Sequence, residues 1–350
     1  MNHLFIACVI VGAVQIRPVL AVEDAKYVSF RLNDSLTART LEGIRASIDD
    51  RFRTADSIFL ALSSSYPLSP LGPLFVAGNV QAEMLDAESE ELRDRFLGYV
   101  AEAERRAKSL TGSDAARSDA EFALGVAAGY RVVHEYKWGG WLAALKHGLV
   151  AKKHFQRSLE LDSGQCDANL GLGSYHYWKS AKTNWINWLP LIPDARRRGI
   201  DMLIRAMCCG TFARQTARVA LTGALINEER YGDAIAHADT LATLFPNARG
   251  PLWLKAKSFF ALYEWDSAVV LFDALETRIR ESGTFNYYNL IECAYHRAQC
   301  HWGASRYREA LSECGKALTY PAGDETRKRQ KKRLNELRQM QRKLVKMLSP

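Results

Sequence analysis

The sequence predicts an all-α fold, a right-handed solenoid built from antiparallel helix pairs. Three alanines support this prediction, because Ala234, Ala268 and Ala310 each follow an aromatic residue by three positions. The first two alanines are 34 residues apart, and the third follows after 42 residues, which is one period plus an eight-residue insertion. A 34-residue period with a small residue inside a helix is typical of stacked helix pairs. No long alternating pattern predicts strands.

The first 21 residues are expected to form a secretory signal peptide. Leu4 begins a run of 11 apolar residues that is too short to span a bilayer. A polar segment follows, and then Val19-Leu20-Ala21, which suits cleavage after Ala21. A short uncleaved anchor is the alternative, because the segment before the apolar run has little positive charge. We therefore expect export across the inner membrane, to the periplasm.

Residues 22–323 are expected to form a repeat array of six or seven helix pairs. The clearest unit covers 215–248, where Ala234, Ala238 and Leu241 lie on one helix face at i, i+4 and i+7. Their small size lets two helices approach closely, and Pro246 ends the second helix. Two further units follow, and similar marks recur, with more residues between them in the middle of the chain, at 41–67, 71–110, 119–163 and 167–209.

These units resemble the tetratricopeptide repeat family, of a secreted bacterial type. In that family small residues stand at fixed places in both helices, an aromatic residue precedes the second helix, and a proline closes the unit. The match covers most of residues 35–321 and departs from the pattern at two insertions, near 131–142 and 177–193. The resemblance implies a protein or peptide partner bound on a concave face, which the first helix of each pair would line.

The positive charge of the chain is concentrated at its C-terminus. The formal net charge is +8. Residues 324–350 contain ten basic and three acidic residues, so 10 − 3 gives +7, and Arg17 adds one more. The array itself is therefore about neutral, which argues against a nucleic-acid groove. The segment 324–350 is expected to be a basic amphipathic helix that caps the array; electrostatic attachment to anionic lipid or an acidic partner is the alternative.

The sequence gives no sign of an enzyme or a metal site. It has no glycine-rich phosphate loop and no HExxH, GxSxG or CxxC motif, so no catalytic residue, metal ligand or cofactor is expected. The acidic pairs Asp49-Asp50, Glu90-Glu91 and Glu228-Glu229 are expected on solvated surfaces. Cys293, His296 and Cys300 share a helix face, but helix packing explains them without zinc.

Most of the six cysteines that remain after Cys8 are expected to be small buried residues. Cys208 and Cys209 are adjacent, and Cys293 and Cys300 lie too far apart on one helix to bridge each other. Cys300 and Cys314, on facing helices of one hairpin, are the only pair worth testing for a disulfide.

Large aromatic side chains and cations collect around the second insertion. Such a combination suits recognition of a peptide, a glycan or a membrane interface. The alternative is that the insertion folds back and its tryptophans fill a local core. The residues that we expect to bind a partner are Tyr175, Trp178, Lys182, Trp185, Trp188, Arg197 and Arg198.

The sequence therefore predicts a non-enzymatic scaffold of the cell envelope that binds a protein or peptide. The alternative is a peripheral membrane component, held at an anionic surface by the basic C-terminal helix and the tryptophan-rich insertion. An enzyme built on helical hairpins would need two facing carboxylates in a cleft, and the sequence cannot show such a pair.

Overall fold

The computed structural model describes residues 27–182 and 194–349, and these ranges fold into α-helices without a strand. A short 3-10 helix (Phe30–Leu32) precedes the first of them. The α-helices are α1 (Asp34–Ile48), α2 (Phe52–Ser65), α3 (Leu71–Ala87), α4 (Arg93–Ser109), α5 (Asp114–Trp138), α6 (Trp141–Leu161), α7 (Ala168–Lys182), α8 (Arg196–Cys209), α9 (Arg214–Asn227), α10 (Tyr231–Leu244), α11 (Gly250–Ala261), α12 (Trp265–Glu281), α13 (Tyr287–Gly303), α14 (Tyr307–Thr319), α15 (Asp324–Arg329) and α16 (Lys331–Leu348).

Each helix packs against its neighbours along the chain, so that α1 to α14 form a stack of hairpins. The repeat alanines explain the close packing: Ala234, Ala268 and Ala310 are each the fourth residue of the second helix of a pair, and all three are fully buried. The predicted all-α solenoid is thus confirmed for the described ranges.

Four of the hairpin turns share one backbone geometry. Each places a non-glycine residue in the left-handed region two positions before the aromatic residue that begins the next helix. Only a few per cent of non-glycine residues adopt such a φ, and the geometry is less favourable for them than for glycine. The residues are Asp50 (φ 58°), Glu229 (φ 58°), Tyr263 (φ 62°) and Ser305 (φ 58°).

The insertion near 131–142 is described in full, whereas only the first part of the insertion near 177–193 is described. Residues 131–142 extend α5 and α6, which are 25 and 21 residues long. Trp138 packs partly against the N-terminal core, whereas Trp141 is 67% exposed. Of the second insertion, 177–182 complete α7, and the fully buried Tyr177 donates its hydroxyl proton to the carbonyl of Ala224 (3.0 Å). Residues 183–193 lie outside the described residues.

The C-terminal helix α16 packs against α13 and α14. Leu334, Leu337 and Leu344 are buried, and Met340 is partly buried, whereas Met347 is 54% exposed. Its apolar face therefore covers the end of the stack, and most of its basic residues face outward.

The disulfide of the described chain is Cys166–Cys209, with a Cα–Cα distance of 5.7 Å. It ties the loop before α7 to the last residue of α8. The pair Cys300 and Cys314 is not bridged, because both thiols are free and fully buried in the C-terminal core, as expected for small buried residues. Burial raises the pKa of Cys314 to about 11, as expected for a thiol that packs as a small apolar side chain.

Candidate binding cavity

The turn between α1 and α2 contacts the loop between α10 and α11. Asp49 accepts hydrogen bonds from the backbone N–H and the side-chain amide of Asn247, both at 2.9 Å. Asp50 accepts from the backbone N–H and Nε of Arg249, also at 2.9 Å. The prediction that Asp49-Asp50 is solvated is therefore wrong, because a distant repeat covers both carboxylates; Asp49 is 6% exposed.

Of the other acidic pairs, only Glu228 is partly covered. Glu228 accepts a hydrogen bond from the hydroxyl of Tyr177 at 2.9 Å and pairs with Arg196 at 3.1 Å. Glu90, Glu91 and Glu229 are exposed, which matches the prediction, although Glu90 also lies 3.6 Å from Nε2 of His134.

The same arginine also reaches the end of α3. Nη2 of Arg249 lies 2.7 Å from Oδ2 of Asp86, and Nη1 donates to the hydroxyl of Thr284 at 3.1 Å. Asn286 donates its amide to the backbone carbonyl of Asp86 at 3.0 Å. Burial raises the pKa of Asp86 to about 6, although Arg249 acts in the opposite direction. We call Asp50, Asp86 and Arg249 the clasp.

A second ionic contact lies beside the clasp. Glu88, which follows α3, pairs with Nζ of Lys137 at 2.8 Å and also with Arg329. The Arg329 guanidinium lies 4.4 Å from the centre of the Tyr288 ring, and Lys137 approaches the same ring at 5.4 Å. These contacts join α3, α5, α13 and α15, so the array closes on itself.

The array surrounds a cavity of about 730 Å³ that is partly open to solvent. The first helices of six pairs (α1, α3, α5, α9, α11 and α13) contribute to its wall, as the family resemblance implies. Its size and mixed aromatic and polar wall suit a bound ligand or side chains of a peptide. Ring-bearing residues of the wall are Phe52, Phe59, Phe75, Tyr130, Phe212, Trp253 and Tyr288.

Two polar side chains of the wall, Asn79 and Lys257, each have a polar group without a hydrogen-bond or ion-pair partner among the described residues. Asn79 is 2% exposed and donates its amide to the carbonyl of Phe52 at 2.9 Å, while its Oδ1 has no hydrogen-bond partner among the described residues. A buried acceptor without a partner is costly, and a ligand N–H or O–H could pair with it only if the neighbouring side chains moved. Lys257 lies 5.6 Å from the Trp253 ring and forms no ion pair within the described ranges.

The predicted partner-binding residues lie elsewhere. Lys152 lies over the Tyr175 ring at 5.7 Å, and the 37% exposed Trp178 packs edge-to-face on Tyr177. Lys182 lies over the Tyr136 ring at 5.7 Å. None of these predicted residues lines the cavity. They remain a predicted site on another surface.

Of the four remaining residues predicted to bind a partner, the structure describes two. Arg197 and Arg198 are exposed at the start of α8, and burial together with Arg198 lowers the pKa of His176. Trp185 and Trp188 lie outside the described residues.

Sequence reasoning missed the clasp and Asn79. The repeat pattern marks contacts between neighbouring helices, whereas the clasp joins loops and helix ends that are far apart in the chain. The signal that could have revealed it is weak, namely an acidic pair in one hairpin turn and an arginine in another loop.

Within the described ranges, no group of three or more His, Cys, Asp or Glu residues could hold a metal ion. No described helix is long and apolar enough to cross a membrane.

No known family model matches the sequence, and neither does any curated protein. Among solved structures, a Rap protein complexed with competence and sporulation factor has 11% identity, covering 90% of this chain and 87% of its own, with a TM-score of 0.49. Yeast Tom70 has 13% identity, covering 91% and 66%, with a TM-score of 0.39. The TPR domain of P58(IPK) has 12% identity, covering 88% and 99%, with a TM-score of 0.28. The paired helices and buried repeat alanines, rather than these matches, make the fold tetratricopeptide-like.

Proposed function

We propose that this protein is a repeat scaffold that binds a segment of a partner protein in this cavity. The observation that supports this most directly is a cavity of about 730 Å³ with a largely aromatic wall that also includes the buried Asn79, whose amide oxygen has no hydrogen-bond partner among the described residues. A peptide supplies N–H donors along its whole length, and its side chains suit the aromatic wall. Concave faces of helical repeats are suited to extended segments.

Peptides selected from a random displayed library provide the test. The expected result is that Val219→Glu, which places a charge in the cavity wall, weakens their binding at least about tenfold. Val270→Glu is the matched control, because Val270 is 66% exposed on α12 and does not line the cavity. Asn79→Leu should weaken binding as well, since it removes the free acceptor.

Two results would count against the cavity. One is equal binding by the Val219 and Val270 variants. The other is a loss of binding with Trp178→Ala alone, which would assign recognition to the aromatic and cationic residues predicted from the sequence. Circular dichroism of each variant keeps loss of binding distinct from loss of fold.

We further propose that the protein acts in the cell envelope. Two features support export: the signal peptide expected at residues 1–21, and the Cys166–Cys209 disulfide, since disulfides persist in oxidising compartments. Mass analysis of the protein from fractionated cells tests this. A chain that begins at Val22 in the periplasmic fraction is expected, and an uncut cytosolic chain would contradict it.

A further inference from the structure

The first half of α6 exposes an apolar stripe. Trp141 and Leu142 are 67% and 64% exposed, Leu149 is 53% exposed and Leu145 is 38% exposed. These four residues lie within roughly 100° of the helix circumference, because each residue advances by about 100°. We call them the α6 stripe. The buried side of the same helix is formed by Ala144, Gly148, Ala151, Phe155 and Ser158.

Neighbouring helices extend this apolar surface. Tyr136 at the end of α5 is 62% exposed, and Val133 one turn earlier is 40% exposed. Lys182 of α7 lies over the Tyr136 ring at 5.7 Å, which brings the end of α7 and its exposed Trp178 to the same tip. Single exposed apolar side chains are ordinary, but a group on adjacent helices marks an interaction surface.

The charged residues of α6 and α7 beside the stripe are basic. Residues 141–159 of α6 contain no acidic residue, and α7 contains none, whereas Glu135 lies near the end of α5. Lys146 and Lys153 are exposed beside the stripe and form no ion pair with a described residue. Tryptophan and leucine side chains flanked by lysines complement a membrane surface, which has an apolar interior and anionic headgroups.

We propose that the tip of the α5–α6 hairpin docks on an anionic lipid bilayer. The α6 stripe inserts at the boundary of headgroups and acyl chains, and Lys146 and Lys153 contact lipid phosphates. No residue of α6 lines the cavity, although Lys137 near the end of α5 does. Helix α16 is a less suitable anchor, because Leu334, Leu337 and Leu344 are buried in the stack.

Sedimentation with vesicles tests the proposal. The chain from Val22 onward retains every described helix and lacks the apolar N-terminal segment, which would bind lipid by itself. It is expected to sediment with vesicles that contain phosphatidylglycerol and not with phosphatidylcholine alone, and added salt should release it. Leu145→Gln/Leu149→Gln should weaken sedimentation at least about tenfold. The control is Val270→Gln, because Val270 is an exposed apolar residue (66%) on α12, away from the stripe.

The lysines distinguish this surface from the C-terminal helix. Lys146→Gln/Lys153→Gln should weaken vesicle binding by about fivefold per lysine. Lys343→Gln/Lys346→Gln on α16 should leave it unchanged. A loss confined to the α16 variant would overturn the proposal and assign attachment to that helix.

Three further results would overturn it. The first is no binding to phosphatidylglycerol vesicles at low salt. The second is a lower melting temperature of Leu145→Gln/Leu149→Gln, which would mean that another part of the chain covers the stripe. The third is that Leu145→Gln/Leu149→Gln no longer binds a protein partner, while the unchanged chain binds that partner and does not bind vesicles.

Discussion

Nη2 of Arg249 lies 2.7 Å from Oδ2 of Asp86, although Arg249 precedes α11 and Asp86 belongs to the last turn of α3. The Arg249 side chain is 6% exposed, and it also contacts Asp50 at 2.9 Å. One buried guanidinium therefore holds two carboxylates from the first two helix pairs against the sixth. Removing one member of such a group leaves a buried charge without its partner.

We expect Arg249→Met to lower the free energy of unfolding by about 3–5 kcal/mol, because Asp50 and Asp86 lose their shared cation. Urea denaturation followed by circular dichroism measures this. The control is Arg230→Met, since Arg230 and Asp233 are 56% and 54% exposed and such pairs contribute about 0–1 kcal/mol. Similar losses in both variants would contradict a structural role of the clasp.

Stability should depend on the protonation of Asp86. Its pKa is raised from 3.8 to about 6 by burial, so the folded state binds this proton more tightly than the unfolded chain does. The free energy of unfolding should therefore fall as the pH rises from about 4 through about 6, by an amount on the order of 2–3 kcal/mol.

Asp86→Asn should flatten this part of the stability curve, measured by urea denaturation at several pH values. Some slope should remain, because burial raises the pKa of Asp119 to about 6 as well. Glu276, whose pKa is lowered to about 2, affects stability only below about pH 4.5. An unchanged slope in Asp86→Asn would show that Asp86 does not titrate in this window.

Helices α7 and α8 approach each other at two glycines. A Cβ on Gly199 would lie 2.6 Å from the backbone N of Tyr177 and 2.8 Å from the carbonyl O of Gly173. We expect Gly199→Ala to destabilise the fold by about 1–3 kcal/mol, because backbone must move. Gly223→Ala on α9 meets nothing within 4 Å and should stabilise by about 0.5–1 kcal/mol. Thermal denaturation compares the two variants. A stability change of the same sign in both would contradict the close approach of α7 and α8 at Gly199.

The left-handed turn residues predict a stabilising substitution. Ser305 is exposed and has φ 58°, a conformation that glycine adopts without steric cost. Ser305→Gly should therefore raise the free energy of unfolding by about 0.5–1 kcal/mol. The preceding Ala304 has φ −85°, so Ala304→Gly should lower it by a similar amount. Differential scanning calorimetry gives both values, and a loss at Ser305 would contradict the turn geometry.

The Cys166–Cys209 disulfide can be tested by counting free thiols before and after reduction. The chain from Val22 has six cysteines, the seven of the full chain less Cys8, and two of them are bridged. Thiol titration in denaturant should find four free thiols before reduction and six after. Cys166→Ala/Cys209→Ala should cost about 4 kcal/mol, since the bridge spans 43 residues. Cys208→Ser is the control, because Cys208 is a free and exposed neighbour. Six free thiols in the unreduced chain would exclude the bridge.

The helix pairs could be predicted from the sequence because their packing is local. Ala234 and Ala268 stand one period apart, and each lets a helix approach its sequence neighbour. The cavity could not be predicted in this way. Its closure depends on Arg249 meeting Asp50 and Asp86, and no periodic signal encodes contacts between distant turns.

The cysteines illustrate the same limit. Cys300 and Cys314 are candidates for a disulfide because they belong to one hairpin, whereas the bridged pair links the loop before α7 to the end of α8. Cys166 precedes its helix, so its distance from Cys209 depends on how the loop turns. That turn is held by Asp167, which accepts the backbone N–H groups of Phe212 and Ala213 at 2.9 and 2.8 Å.

Closure of the array also sets the order in which the chain can fold. Hydrogen bonds across the closure join residues 198 to 241 positions apart, such as Asp49 with Asn247 and Glu88 with Arg329. An open repeat array can fold pair by pair as it leaves the ribosome, because each pair needs only its neighbour. Here the carboxylates of the first two pairs are covered only after the loop before α11 and the start of α13 have been synthesised. Folding of the first pairs is therefore completed only when the last third of the chain is present.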